Sequence, residues 1–196
     1  MTQLHLDHNI DYLNGQIDRL DATIDEVIAP FSQAVQLLKT IPGVGDRTAQ
    51  TIIAEIGVDM TRFPTAGHLA SWAGLCPGNY ESAGKSKSGR TRKGNAALRT
   101  AMCEAAWSAS RTKHTYLAAQ FRRFRRRFGK RGDTKAVFAV AHTMLVIVWH
   151  ILANNVEYNE LGENYLNTRN DAEQRAHRLV AELRRLGHDV IIQPAA

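Results

Sequence analysis

An all-α fold is predicted by three features of the 196-residue chain. Apolar residues recur at helical spacing through most of its length. Helix start and stop residues (Pro42-Gly43, Gly57, Asn95, Gly187) fall between those stretches. No strand–helix alternation and no internal repeat can be found. A hydrophobic content of 44% is enough for one ordinary core. The predicted organisation is a coiled-coil helix over 1–36, a helical domain over 37–160, and a C-terminal helix and tail over 161–196.

The first element is the most regular. Leu6, Ile10, Leu13, Ile17, Leu20, Ile24, Val27 and Phe31 alternate spacings of four and three. Isoleucines and Phe31 fill the a positions of a heptad; leucines and Val27 fill the d positions. That choice favours a parallel two-stranded coiled coil, so a homo-oligomer through residues 6–31 is expected. Pro30 should end or kink the seam. Asp7, Asp11, Asp18, Asp21 and Asp25 fall opposite the seam and read as solvated.

The later elements follow from caps and breakers. A short helix runs from Phe31 to Lys39, then Ile41-Pro42-Gly43-Val44-Gly45 turns the chain. A helix from Asp46 to Ile56 ends at Gly57. Leu69 to Leu75 is a short helix or irregular segment. Gly78 to Gly94 (GNYESAGKSKSGRTRKG) reads as a loop. Asn95 caps a helix over Ala96–Ser110, with Leu98, Met102, Ala105 and Ala106 inward. Further helices are predicted over Lys113–Arg127 and Thr134–Asn154. A last helix, capped within 167–171, turns Leu179, Leu183 and Leu186 inward and stops at Gly187, with a short strand over Asp189–Gln193.

Net charge is +6, with a pI of about 9.6. Its distribution says more than its size. Residues 83–131 hold 15 Lys or Arg against one acid, Glu104, so the rest of the chain is near −8. A basic centre between acidic flanks is the footprint of a focused surface for an anionic partner. Cys76 and Cys103 make neither a disulfide framework nor a metal cluster, which fits a reducing compartment. The start of the chain lacks the basic end and apolar core of a signal peptide. Ala136 to Val156 carries no charged residue and is long enough to span a bilayer. His142, Thr143, His150, Asn154 and Asn155 within it favour a buried core helix, and no membrane partner is expected.

Three constellations could carry chemistry. Leu37 to Ala49 joins two helices through Pro-Gly-x-Gly and resembles the helix-hairpin-helix motif of DNA repair and recombination proteins. Gly43 and Gly45 let a backbone approach closely, the next helix presents its positive end, and Arg47 adds charge. Such a turn suits the sugar–phosphate backbone and reads no sequence. A purely structural hairpin has the same pattern. The second is Phe121 to Phe128. Its phenylalanines share one face, while Arg122, Arg123 and Arg126 stand among five arginines with no acid between them. A solvated charged face is the ordinary reading, but the uncompensated repulsion suggests a phosphate partner.

The third is the loop. Ser82, Ser86 and Ser88 have no His–Asp arrangement beside them, and Gly-x-Ser-x-Gly does not occur, so hydrolase chemistry is unsupported. Nor does Gly84-Lys85-Ser86 have the spacing of a phosphate-binding P-loop. Lys85, Lys87, Arg90, Arg92 and Lys93 would instead stabilise the charge that develops on a phosphodiester. A basic loop lying on DNA explains the composition equally well, and chemistry alone does not choose among the serines.

The ordered set Ile41-Pro42-Gly43-Val44-Gly45, Leu69-Ala70-Ser71-Trp72-Ala73-Gly74-Leu75-Cys76-Pro77, Ser82-Ala83-Gly84-Lys85, Arg92-Lys93-Gly94-Asn95 and Leu98-Arg99 resembles the C-terminal transposase domain of the insertion-sequence 110/116/902 family, over about Leu37 to Asn154. The heptad helix resembles the coiled coil that family carries. The resemblance implies a DNA recombinase of the bacterial cell interior, guided by a bridge RNA. Its serine attacks DNA to give a transient 5′-phosphoserine, and that serine corresponds to Ser82. Lys85, Lys93 and Arg99 fall where phosphate contacts are implied. Glu81 and Ala83 depart from the small or polar residue and the glycine common at those positions. No cofactor or metal site is expected in this chain; the family's Mg2+ sits in a RuvC-like domain, for which nothing before Leu6 leaves room. The chain is therefore expected to be a C-terminal portion that binds DNA but does not complete recombination. The competing expectation is a non-catalytic helix-hairpin-helix DNA-binding and dimerisation module.

Overall fold

The structure is a computed structural model, and it describes residues 2–77, 80–82, 85–88, 91, 93–168 and 172–190. Helix α1 (Thr2–Ile28) is one continuous helix. It ends in a 3-10 turn over Ala29–Phe31 with Pro30 in its first turn, where proline needs no amide donor. Ile10, Leu13, Ile17, Leu20, Ile24 and Val27 remain between 43% and 67% exposed, so the predicted seam is largely uncovered among the described residues. Only the last turns of α1 lean on the body of the protein. There the Asp21 carboxylate makes a long ion pair with Arg47 (3.5 Å), so this acid is not merely solvated.

Helices α2 (Ser32–Lys39) and α3 (Asp46–Ile56) form an αα-hairpin. Leu38, Ile41, Val44, Ala49, Ile52, Ile53 and Ile56 are buried in its seam. Gly57 takes a positive φ of 71° and closes α3, as predicted. Helix α4 (Ala66–Trp72) begins three residues before the predicted segment, because the Thr65 hydroxyl accepts from the His68 amide.

The stretch read as a loop contains two strands. β1 (Tyr80–Ser82) and β2 (Lys85–Ser88) pair antiparallel, with an irregularity between Tyr80 and Glu81. Tyr80 and the serines are acceptable strand residues, and period-2 patterning is hard to see across so short a run.

Helix α5 (Ala96–Arg111) starts at the predicted cap and buries Leu98, Met102, Ala105, Ala106 and Ala109. Helix α6 (Tyr116–Phe128) starts three residues later than expected, since His114 takes a positive φ and Thr115 becomes the cap. Helix α7 (Asp133–Asn154) is the centre of the fold. It packs on α2, α4, α5 and α6 and buries Val137, Val140, Ala141, Met144, Leu145, Val148 and Ile151. By length and composition α7 could cross a membrane, but it supplies the core that four helices share. Trp149 donates its indole N–H to the Phe63 carbonyl (2.9 Å).

After α7 the chain returns along the surface through α8 (Tyr165–Thr168) to α9 (Ala172–Arg185). Leu179, Leu183 and Leu186 of this last segment are 39% to 71% exposed. The expected inward face is therefore corrected: its leucines meet no part of the core. Gly187 does stop the helix, with φ of 87°. Asp189 and Val190 are not in a strand, and Ile191, Ile192 and Gln193 lie outside the described residues.

Candidate nucleic-acid interface

The segments that precede and follow the β1–β2 hairpin are held by contacts that explain three of the sequence motifs. Helix α4 ends in a turn where the Leu75 amide donates to the Ala70 carbonyl (3.0 Å), with Gly74 at positive φ. Gly94 lies against that turn. A Cβ on Gly94 would collide with the backbone of Ala73 and Gly74, so the chain can pass there only as glycine. Asn95 then links two helices. Its side-chain oxygen accepts from the Leu98 amide (2.8 Å), capping α5, and its amide donates to Glu55 of α3 (2.5 Å). Sequence reasoning found the cap but not Glu55, which lies 40 residues away and leaves no local signal.

Ser82 ends β1 and is the register partner of Lys85, the first residue of β2. Glu81 pairs with Ser86, and Tyr80 with Ser88. Lys87 lies within β2, and Lys93 is exposed beside the docked Gly94. Arg90 and Arg92 lie outside the described residues. Arg99, half-buried in the first turns of α5, stands one turn before Cys103. Burial pushes the Cys103 thiol up, and the Arg99 charge opposes that rise. Burial also raises the Cys76 thiol, so neither thiol is activated as a nucleophile.

The α2–α3 turn divides its two glycines. Gly43, at φ of 89°, faces α5: a Cβ there would collide with the Ala105 carbonyl and come within 2.6 Å of the Ala109 amide nitrogen. Gly45 is exposed, with no atom within 4 Å of such a Cβ, and opens α3 as its N-cap. The acid in the first turn, Asp46, is bridged by Lys39 (2.6 Å). The Arg47 side chain is 82% exposed and, among the described residues, makes only the long pair to Asp21.

These contacts fix an order along α5. Its first residues meet the end of α3 through Glu55, and its last turns meet the α2–α3 turn through Ala105 and Ala109. From Asn95 to Ala105 is roughly 15 Å of helix. The serine hairpin and the Pro-Gly-x-Gly turn therefore occupy opposite ends of α5.

The last turns of the arginine helix reach the serine end, where Phe124 and Phe128 lie near Pro77 and Thr91. Phe121 is buried against Trp107 (5.8 Å between ring centroids), Phe124 packs on the core, and Phe128 is exposed. Two of the five arginines receive acids from distant parts of the chain. Arg125 pairs with Asp133 (2.6 Å), and Arg122 with Glu163 (3.4 Å). Glu163 also meets His114 (3.3 Å). Arg123, Arg126 and Arg127 make no ion pair among the described residues. Arg122, Arg123 and Arg126 line one polar groove of about 380 Å³, closed on its far side by Glu163, Asn164 and Leu166. Among the described residues no group of three or more His, Cys, Asp or Glu is placed to hold a metal ion.

Residues 35–122 match the family model described as "Transposase IS116/IS110/IS902 family". The chain is 29% identical over 163 residues to the pilin gene-inverting protein of Moraxella bovis, covering 80% of this chain and 49% of that protein. It is 35% identical over 130 residues to the insertion element IS110 uncharacterized 43.6 kDa protein of Streptomyces coelicolor, covering 62% of this chain and 29% of the other. Similarity also extends to the transposase for insertion sequence element IS1111A of Coxiella burnetii, at 27% over 134 residues, 68% of this chain and 36% of that protein. The chain spans at most about half the length of these curated relatives.

Proposed function

We propose that the chain, whose residues 35–122 match the IS116/IS110/IS902 transposase family model, is the DNA-binding, serine-bearing part of a recombinase. The observation that carries this reading is the β1–β2 pairing between anchored flanking segments. Gly94 docked on Ala73-Gly74 and Asn95 held by α3 and α5 support a strand pair in which Ser82 and Lys85 are in register. A reacting group on such a base works from a defined position.

In this reading Ser82 attacks a phosphodiester. A bond forms between its oxygen and phosphorus as the bond to the 3′ oxygen breaks. The serine proton passes to solvent, and the departing 3′ oxygen gains one. The product is a 5′-phosphoserine, and attack by another 3′-hydroxyl reverses the step on a new strand. Lys85, Lys93 and Arg99 offset the added negative charge. The bacterial cell interior, a guide RNA and a RuvC-like partner domain belong to the same proposal by resemblance to the family.

Phosphate contacts fall in three places: Lys85, Lys87 and Lys93 at the serine end, Arg123 and Arg126 in the polar groove of α6, and the amides around Gly45 with Arg47 at the other end of α5. Gly43 shapes that last site from behind. The bare seam of α1 pairs with the same seam of a second copy. That exposed seam equally favours a non-catalytic DNA-binding dimer, in which the serines are incidental.

DNA affinity measured against salt tests the binding half of the proposal. Binding should weaken steeply with salt, and Arg123→Ala should lower the slope of log affinity against log salt by about 1. Ser82→Ala should leave binding unchanged. Absent or salt-independent binding would leave only a scaffold.

A further inference from the structure

A second, apolar groove of about 680 Å³ opens at the serine end, next to the base of the hairpin. Phe124, Phe128 and Phe138 form its walls, with Pro77 and Thr91 from the two sides of the hairpin base and His142 from α7. Phe124 and Phe128 lie near-parallel, at 19° with 6.0 Å between ring centroids. Phe128 is 39% exposed. Its position is fixed from behind: a Cβ on Gly132 would come within 2.9 Å of the Phe128 Cβ, so the corner between α6 and α7 closes tightly under the ring. The rim is cationic. Lys135 belongs to the lining, the Asp133 carboxylate is already taken by Arg125, and Arg127 is exposed on α6 next to Phe128.

Flat apolar walls inside a cationic rim match a nucleotide, whose base is flat and whose phosphate is charged. An apolar protein side chain would fill the walls but leave the rim unanswered. Burial lowers the His142 pKa, which favours the neutral imidazole, able to donate and accept at a base edge. We propose that this groove receives an unstacked base of the DNA strand whose phosphates lie on α6 and the hairpin. The inference rests on the nucleic-acid reading above and deepens it: a base drawn aside here would open the backbone beside Ser82.

The test compares single-stranded oligonucleotides with matched ones carrying abasic sites, by fluorescence anisotropy. Wild-type protein should prefer the base-containing strand. Phe128→Ala should lose about tenfold in affinity for it, with abasic binding unchanged. Phe128→Leu, which keeps apolar volume without a ring face, should lose the same preference. Arg123→Ala should weaken both strands alike. If wild type binds both strands equally, the inference is overturned while the nucleic-acid reading stands. If neither strand binds, both fall. If Phe128→Ala changes the assembly mass of the protein and not its DNA affinity, the groove is a protein contact and the inference is overturned.

Discussion

Gly43 and Gly45 are two residues apart and answer to different constraints. Gly43 combines positive φ with α5 backbone where a side chain would begin. Gly43→Ala should destabilise the protein by about 2–3 kcal/mol in chemical denaturation. Gly45→Ala meets open space, and its cost should be roughly 1 kcal/mol or less, from weaker capping. Asn95 is a further single-residue test. Its removal takes away a helix cap and leaves Glu55 without its donor, so Asn95→Ala should cost about 1–2 kcal/mol. The cap was legible in the sequence because Asn precedes an apolar helical period. The purpose of Gly94 was not, since the backbone it touches lies 20 residues earlier. A glycine in a basic loop looks the same whether it is docked or free.

Among elements, α1 and α6 were read most fully. A strict apolar spacing places side chains on one side of a helix whatever surrounds it, so the seam of α1 was legible without knowing what covers it. The Leu13→Lys, Ile17→Lys double variant should shift the protein to its monomer mass in sedimentation, with helix content falling only modestly. An unchanged mass would remove the seam from assembly. In α6 the shared face of the phenylalanines was legible, and so was the surplus of arginines. The acids that meet two of them, Asp133 and Glu163, were not, because each comes from another element. The same reasoning explains the failure at α9. Its leucine spacing predicts an apolar face, but spacing cannot say that the face meets the core, and here Leu179, Leu183 and Leu186 do not.

At the scale of the molecule, α7 holds the fold together by sharing its buried face with four helices. Leu145 is fully buried there, and Leu145→Ala should cost about 2–5 kcal/mol in thermal or denaturant unfolding. The all-α class and the central helix were legible from composition and period. The antiparallel run of α3 along α5, which sends the serine hairpin and the Pro-Gly-x-Gly turn to opposite ends, was not. It depends on Asn95 finding Glu55 and on Gly43 fitting α5, two contacts between segments far apart in the chain. The proposed role of Ser82 puts the reaction at the end of α5 that carries the hairpin.

The most direct measurement is covalent trapping on a nicked DNA substrate, in the presence of a RuvC-like domain of the family, followed by mass mapping of the adduct peptide. A 5′-phosphate linked to Ser82, lost in Ser82→Ala and kept in Ser86→Ala and Ser88→Ala, is the predicted result. An adduct that survives Ser82→Ala, or maps to another residue, would contradict it.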